Sequence, residues 1–286
     1  MRFVKSYIVF QIVLGGLSMN GLTIKNGKIT QYQGHDEIVI IPDNVTSIGK
    51  NSFKGNIHIK KVILFEGITA IDDYAFQGCK NLEELNLPNT LQIIGDGAFQ
   101  NCEKLTALSL PDSVISVGNL AFYKCASPYD ENGFIIAKNI VYGYYGSKKD
   151  IIIPTGVTEI AQQAFCGNED ITSVTIPSSV VKIGISAFHG CKMLEHINMN
   201  EGTTIIGANA FCSCKIKSIT TPKSVTKIGQ GAFADCRLLK NADIKSEYLD
   251  LDDYVFSNCA NLENVNLSDT IISMPKNTFL GCKKLF

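Results

Sequence analysis

The chain has 286 residues, 45% of them hydrophobic, with 26 Lys and Arg set against 27 Asp and Glu, for a formal net charge of -1. That is ample to bury a core. No basic run is longer than the Lys148-Lys149 and Lys283-Lys284 pairs, which excludes the concentrated positive field that a nucleic-acid partner requires.

Residues 1–18 stand apart. Arg2 and Lys5 precede an apolar run from Tyr7 to Leu17, with Gly15, Gly16 and Ser18 at its end. This has the layout of a secretory signal peptide, although Gln11 interrupts it, and a buried N-terminal strand or a second start at Met19 are the alternatives. The run is too short to span a bilayer, and no other stretch reads as a transmembrane segment or C-terminal anchor. Residues 19–37 follow as a hairpin module, with alternating apolar residues around Asn26-Gly27 signalling a two-residue turn. The same layout returns in residues 127–150: Asn20-Gly21, Tyr32, Gly34 and Pro42 are matched in order by Asn132-Gly133, Tyr144, Gly146 and Pro154.

Between and after these modules the chain repeats. Phenylalanines fall at 53, 76, 99, 122, 165, 188, 211, 233, 256 and 279, so that seven of nine intervals are 23 residues, one is 22 and one is 43. The long interval holds the second hairpin module. Self-similarity at this period identifies a solenoid, with residues 38–126 forming repeats 1–4 and residues 151–286 forming repeats 5–10 of one continuous body. One coil can be read from Leu82 to Leu105. Leu82, Leu85 and Leu87 make a short strand that Pro88 ends, since proline cannot extend the ladder. Leu91 and Ile94 turn inward, Gly95 permits a bend, and Ala98, Phe99 and Cys102 fill the opposite wall. No stretch has the length or period of a long helix, so the remainder of the coil is expected to be extended, turn-like or short 3₁₀ structure.

Eight of the ten cysteines sit three residues after a repeat phenylalanine. One slot repeated per coil reads as packing, because free cysteine behaves as a small buried hydrophobe. Stacked side chains that point the same way are also poorly placed for disulfides. Asp72-Asp73 and Asp252-Asp253 stand where other coils have the glycine. Two carboxylates fall far short of a calcium site, and Asp at a bend is the simpler reading.

The pattern Ile/Leu-x-Ile/Leu-Pro-x-x-Val-x-x-Ile-Gly-x-x-Ala-Phe-x-x-Cys-x-x-Leu, complete in Val174 to Leu194, resembles the BspA-like leucine-rich repeat over roughly residues 38–286. The resemblance implies a leucine-rich repeat solenoid: a right-handed coil of about ten repeats with a parallel sheet on one face. It also implies a secreted or cell-surface microbial protein engaged in adhesion. If residues 1–18 are not a signal peptide, a cytoplasmic location follows instead.

Strand residues that alternate away from the core line the open face of that sheet. By register they are Glu84, Asn86, Ser173, Thr175, His196, Asn198, Ser218, Thr220, Asn241, Asp243, Asn264 and Asn266, a polar strip proposed to bind ligand. Ile38, Ile40, Ile63 and Ile152 interrupt it as possible apolar anchors. A search for chemistry finds no catalytic residues. There is no Gly-x-Ser-x-Gly elbow, P-loop or Rossmann fingerprint, no set of four zinc ligands, and no cofactor motif. The expectation is a non-enzymatic binding or adhesion module whose partner is a protein, such as one on a host or neighbouring cell, or a glycan. The alternative is a structural spacer or a fragment of a larger surface protein that assembles end to end, since the chain stops at Leu285-Phe286 with an apolar coil end able to self-associate.

Overall fold

The computed structural model describes residues 21–106, 108–126, 130–267 and 271–285; the signal-like segment at 1–18 lies outside them. The chain divides into two compact units, residues 1–128 and 129–286. Each is a β-solenoid opened by a hairpin, with parallel strands thereafter and no helix among the described residues.

Both hairpins form, the first at its Asn-Gly dipeptide. Leu22–Lys25 pairs with Lys28–Tyr32, and the turn residues Asn26 (φ 50°) and Gly27 (φ 71°) are both left-handed, the geometry that matches the strand twist. Phe134–Ala137 pairs likewise with Ile140–Tyr144 through Lys138 and Asn139 at φ 45° and 61°. Each hairpin lays an aromatic ring over the first coil of its unit: Tyr32 lies 5.1 Å from Phe53, and Tyr144 lies 6.2 Å from Phe165. They cap the two cores.

Among the described residues most coils contribute two walls of strand; the coil of Ser116–Val117 contributes one. The second hairpin strand of each unit continues into a row of short parallel strands. In the first unit these are Ser47–Ile48, Ala70–Ile71, Ile93–Ile94 and Ser116–Val117. In the second unit the row runs without a gap from Glu159–Ile160 to Ile271–Ser273. This row, arising from the Val-x-x-Ile stretch, was not anticipated as sheet. Its inward isoleucines Ile48, Ile71, Ile160, Ile183 and Ile228 are fully buried. The anticipated strands form the other wall. They do not make one ten-stranded sheet but three sheets of three: Ile38–Ile40, Lys61–Ile63 and Glu84–Leu85; Asp150–Ile152, Ser173–Ile176 and His196–Met199; Ser218–Thr221, Asn241–Ile244 and Asn264–Leu267.

The third wall is a run of turns. Successive coils are joined there by bonds such as Phe76 N–H to Ala98 C=O and Gly78 N–H to Gln100 C=O, both 2.7 Å. Two left-handed residues per coil, Tyr74 (φ 56°) and Gly78 (φ 74°) for example, aim those groups along the stacking direction. The phenylalanines stack nearly parallel, with centroids 4.8 to 5.5 Å apart from Phe53 to Phe122 and 4.6 to 5.7 Å apart from Phe165 to Phe279. Offset or tilted stacks of this kind add to the gain from burial.

The eight slot cysteines are free thiols. Each donates its S–H to the carbonyl of the phenylalanine one coil back: Cys79 to Phe53, Cys191 to Phe165 and Cys259 to Phe233 at 3.1 to 3.2 Å, and the other five in the same way. The slot therefore selects a small apolar side chain that can also satisfy a buried acceptor.

The repeat glycine has a different purpose from the bend expected of it. Gly95 is not left-handed; a Cβ there would lie 2.4 Å from the Asp73 nitrogen and 2.6 Å from the Asp72 carbonyl carbon. It is there so that adjacent coils can close on each other. Gly95→Ala is expected to destabilise the first unit by about 1–3 kcal/mol through overpacking, read as a lower urea midpoint. Asp72 and Asp252 likewise do not take up a left-handed bend; the neighbouring residues Tyr74 and Tyr254 do. The carboxylates serve charge pairs instead, Asp72 with Lys28 and Asp252 with Lys227. Asp73 also accepts from the Asp96 N–H at 3.1 Å.

Candidate functional site

Alternation places the anticipated polar residues on the outer face of the three-stranded sheets. Glu84 and Asn86 lie in the first unit, both exposed, and Glu84 is held by Lys61. The other ten lie in the second unit. Ser173 pairs with His196 and Thr175 with Asn198. In the following sheet Ser218, Asn241 and Asn264 form one row and Thr220, Asp243 and Asn266 a second.

Amides ladder along these rows. Asn264 donates to Asn241 Oδ1 and Asn266 to Asp243 Oδ1, both at 2.8 Å. At the other end Asp150 accepts from the Ser173 hydroxyl at 2.7 Å and from Thr172 at 2.8 Å, which holds its carboxyl below the usual range. Lys217 does the same to Glu195 across 2.6 Å. The isoleucines that interrupt the strip are open: Ile38 and Ile152 are 57% and 67% exposed, on the first strand of their sheets, and Ile40 is exposed as well. Ile63 is half-buried.

Between His196–Met199 and Ser218–Thr221 the sheet is interrupted, and a cleft of about 390 Å³ opens there. Asn198 and Thr220 line it, so the structure brings these two anticipated residues to one place. Met199, Glu201, Thr221 and Lys245 line it too, and sequence reasoning did not single them out. The available signals were the lone 22-residue interval, from Phe211 to Phe233, and Thr221 itself, a polar residue in a slot held by Ile153, Ile176 and Ile244 in other coils. Thr221 is fully buried and accepts from the Lys245 N–H at 3.3 Å.

Among the described residues no group of three or more His, Cys, Asp or Glu could hold a metal ion, and no helix is long and apolar enough to cross a membrane. His35 and His58 lie with ring centroids 4.6 Å apart and tilted by 60° in the first unit, while His189 and His196 lie on different walls of the second.

The repeat matches the BspA type leucine rich repeat region in six copies, over residues 31–130, 135–212 and 158–286. The chain belongs to this family. Solved structures share the fold. A leucine-rich repeat protein from Bacteroides ovatus is 20% identical, with 90% of this chain and 80% of that one covered, at a TM-score of 0.53. A leucine rich cell surface protein from Faecalibacterium prausnitzii is 23% identical over 90% and 93% of the two chains, at 0.50. The pneumococcal vaccine antigen PcpA is 22% identical over 86% and 70%, at 0.50. The comparison with curated proteins gives no match. At these identities the likeness is one of fold, and repeat folds of this kind present extended interaction surfaces.

Proposed function

We propose that this BspA-type repeat protein is a non-enzymatic binding module that holds a protein or glycan ligand on the polar strand rows of its second unit. One observation carries the reading. The buried slots account for the phenylalanines, cysteines and inward isoleucines, while the asparagines and threonines of the outer rows lie outside those slots, and the amide ladder from Asn264 to Asn241 and from Asn266 to Asp243 occupies only part of their donors and acceptors. Their groups form an array of donors and acceptors at strand spacing, suited to many weak polar contacts. The names of the similar structures, a cell surface protein and a vaccine antigen, support a secreted or surface-exposed setting in which the partner belongs to another cell or its matrix.

The test is capture on immobilised protein and glycan arrays with the intact chain, then with Asn241→Ala, Asn264→Ala and Asn266→Ala combined. Surface changes of this kind leave stability within about 0.5 kcal/mol each, so the melting curve should not move. Binding should fall roughly tenfold or more. Undiminished capture by the triple variant would favour a spacer role for these rows.

A further inference from the structure

The turn that follows the first phenylalanine of each unit is clamped by one asparagine. In the first unit Asn56 Oδ1 accepts from the His58 and Ile59 N–H groups at 2.9 and 3.1 Å. In the second Asn168 Oδ1 accepts from the Asp170 and Ile171 N–H groups at 3.0 and 2.9 Å. His35 stands one repeat of 23 residues before His58 and directly after Gly34, and the matching Gly146 is followed by Ser147. The same frame therefore forms with Asp170 and Ser147 in these two places, so it does not depend on histidine. Both His35 and His58 are exposed.

The frame also fixes the two backbones against each other. Asn56 Nδ2 donates to the Gly34 C=O at 3.0 Å, which joins the chain beside His35 to the turn that carries His58. On the other side of His35 the Asp36 N–H donates to Tyr32 Oη at 3.2 Å, and that hydroxyl donates to the Asp36 carboxylate at 3.0 Å. One step further on, the Lys60 N–H donates to the Glu37 C=O at 2.8 Å. The two imidazoles are thus set side by side by bonds that precede and follow both of them, with ring centroids 4.6 Å apart and planes tilted by 60°.

We propose that His35 and His58 form a two-histidine site for a divalent late first-row transition-metal ion, Ni²⁺ or Cu²⁺ in kind, with water filling the remaining positions. Three features choose this occupant. Imidazole is a ligand for these metals, whereas Mg²⁺ and Ca²⁺ take oxygen. An ion about 2.1 Å from a ring nitrogen lies about 3.2 Å from the centre of that ring, so two rings at a right angle around it stand about 4.5 Å apart, and two at the tetrahedral angle about 5.2 Å. The observed 4.6 Å fits the right angle of octahedral or tetragonal Ni²⁺ and Cu²⁺, and the 60° tilt is open to it because each ring plane has only to contain the ion. Finally, Asp36 and Glu37 follow His35 in sequence, and two carboxylates so close favour a cation over an anion. His35 lies between Lys28–Tyr32 and Ile38–Ile40, and His58 just before Lys61–Ile63, so the ion staples the segment leaving the hairpin to the coil that follows.

The experiment is titration of the full chain with nickel chloride in neutral buffer, followed by calorimetry and by the imidazole proton signals in NMR. One equivalent should bind saturably. Of the four histidines, His35 and His58 should lose their signals first, because octahedral Ni²⁺ is paramagnetic. Magnesium chloride should produce neither effect. His35→Ala and His58→Ala are surface changes that leave the fold intact, and each should weaken binding roughly tenfold or more. His196→Ala removes an exposed histidine of the second unit and Cys166→Ser a half-buried thiol; neither should change it. No saturable binding, equal uptake of Mg²⁺, binding that survives His35→Ala or His58→Ala, or binding lost with Cys166→Ser would overturn the site.

Discussion

Phe188→Ala is expected to lower the stability of the second unit by about 3–5 kcal/mol. The ring is fully buried and stacks at 4.6 Å on Phe165 and 5.1 Å on Phe211. A solenoid coil is stabilised by its two neighbours and little else, so truncation weakens two interfaces at once and leaves a cavity between coils that cannot slide together without breaking the flanking backbone bonds. Urea unfolding followed by circular dichroism reads the loss directly. The control lies in the same coil: Ile185 is 49% exposed, and Ile185→Ala should cost well under half as much. Equal costs would mean that the ring is not in the spine.

The second large effect is alkaline unfolding. Burial pushes the Cys79 and Cys259 thiols up to about 12, and Cys236 well up. Cys102 and Cys214 are also raised, first by their contacts with Cys125 and Cys191 and then by burial. A thiol raised in the folded state stays neutral there while its unfolded counterpart ionises near 9. Its contribution is therefore fully present below about pH 9 and is lost as pH climbs from there toward 12. Each such thiol removes about 1.4 kcal/mol per pH unit in that window. Cys214, Cys236 and Cys259 together remove roughly 4 kcal/mol per unit from the second unit, against a domain stability of about 5–15 kcal/mol. Denaturant midpoints measured from pH 8 to 11 should fall steeply above 9. Cys236→Ala should flatten that slope by one proton's share; an unchanged slope would remove the thiols from the account.

The core was readable because its slots repeat. The phenylalanine and cysteine positions, the hairpins at Asn26-Gly27 and near Lys138-Asn139, and the alternation that turns Asn241 and Asp243 outward all follow from spacing and side-chain chemistry. Where the reading fell short, the cause was backbone geometry that spacing does not carry. A glycine required by a bend and a glycine required by the next coil's closeness look alike in sequence, and only the distance from Gly95 to Asp73 separates them. The second row of strands was hidden because two residues per coil are too few to show a period. The cleft was hidden by a difference of one residue in 23, visible as a number but not as a lost strand pairing.

The thiol-to-carbonyl bonds reach back 25 or 26 residues and the turn bonds reach forward about 22. Almost nothing in a coil answers to anything beyond the coils on either side of it. Within each unit, then, reach can change by gain or loss of whole coils, each moving the polar rows by one strand spacing of about 4.8 Å while every interior partner is replaced by its equivalent. The extent of the surface is a digital quantity, counted in coils, and the short coil at Cys214 is a mark set at a fixed place along that count.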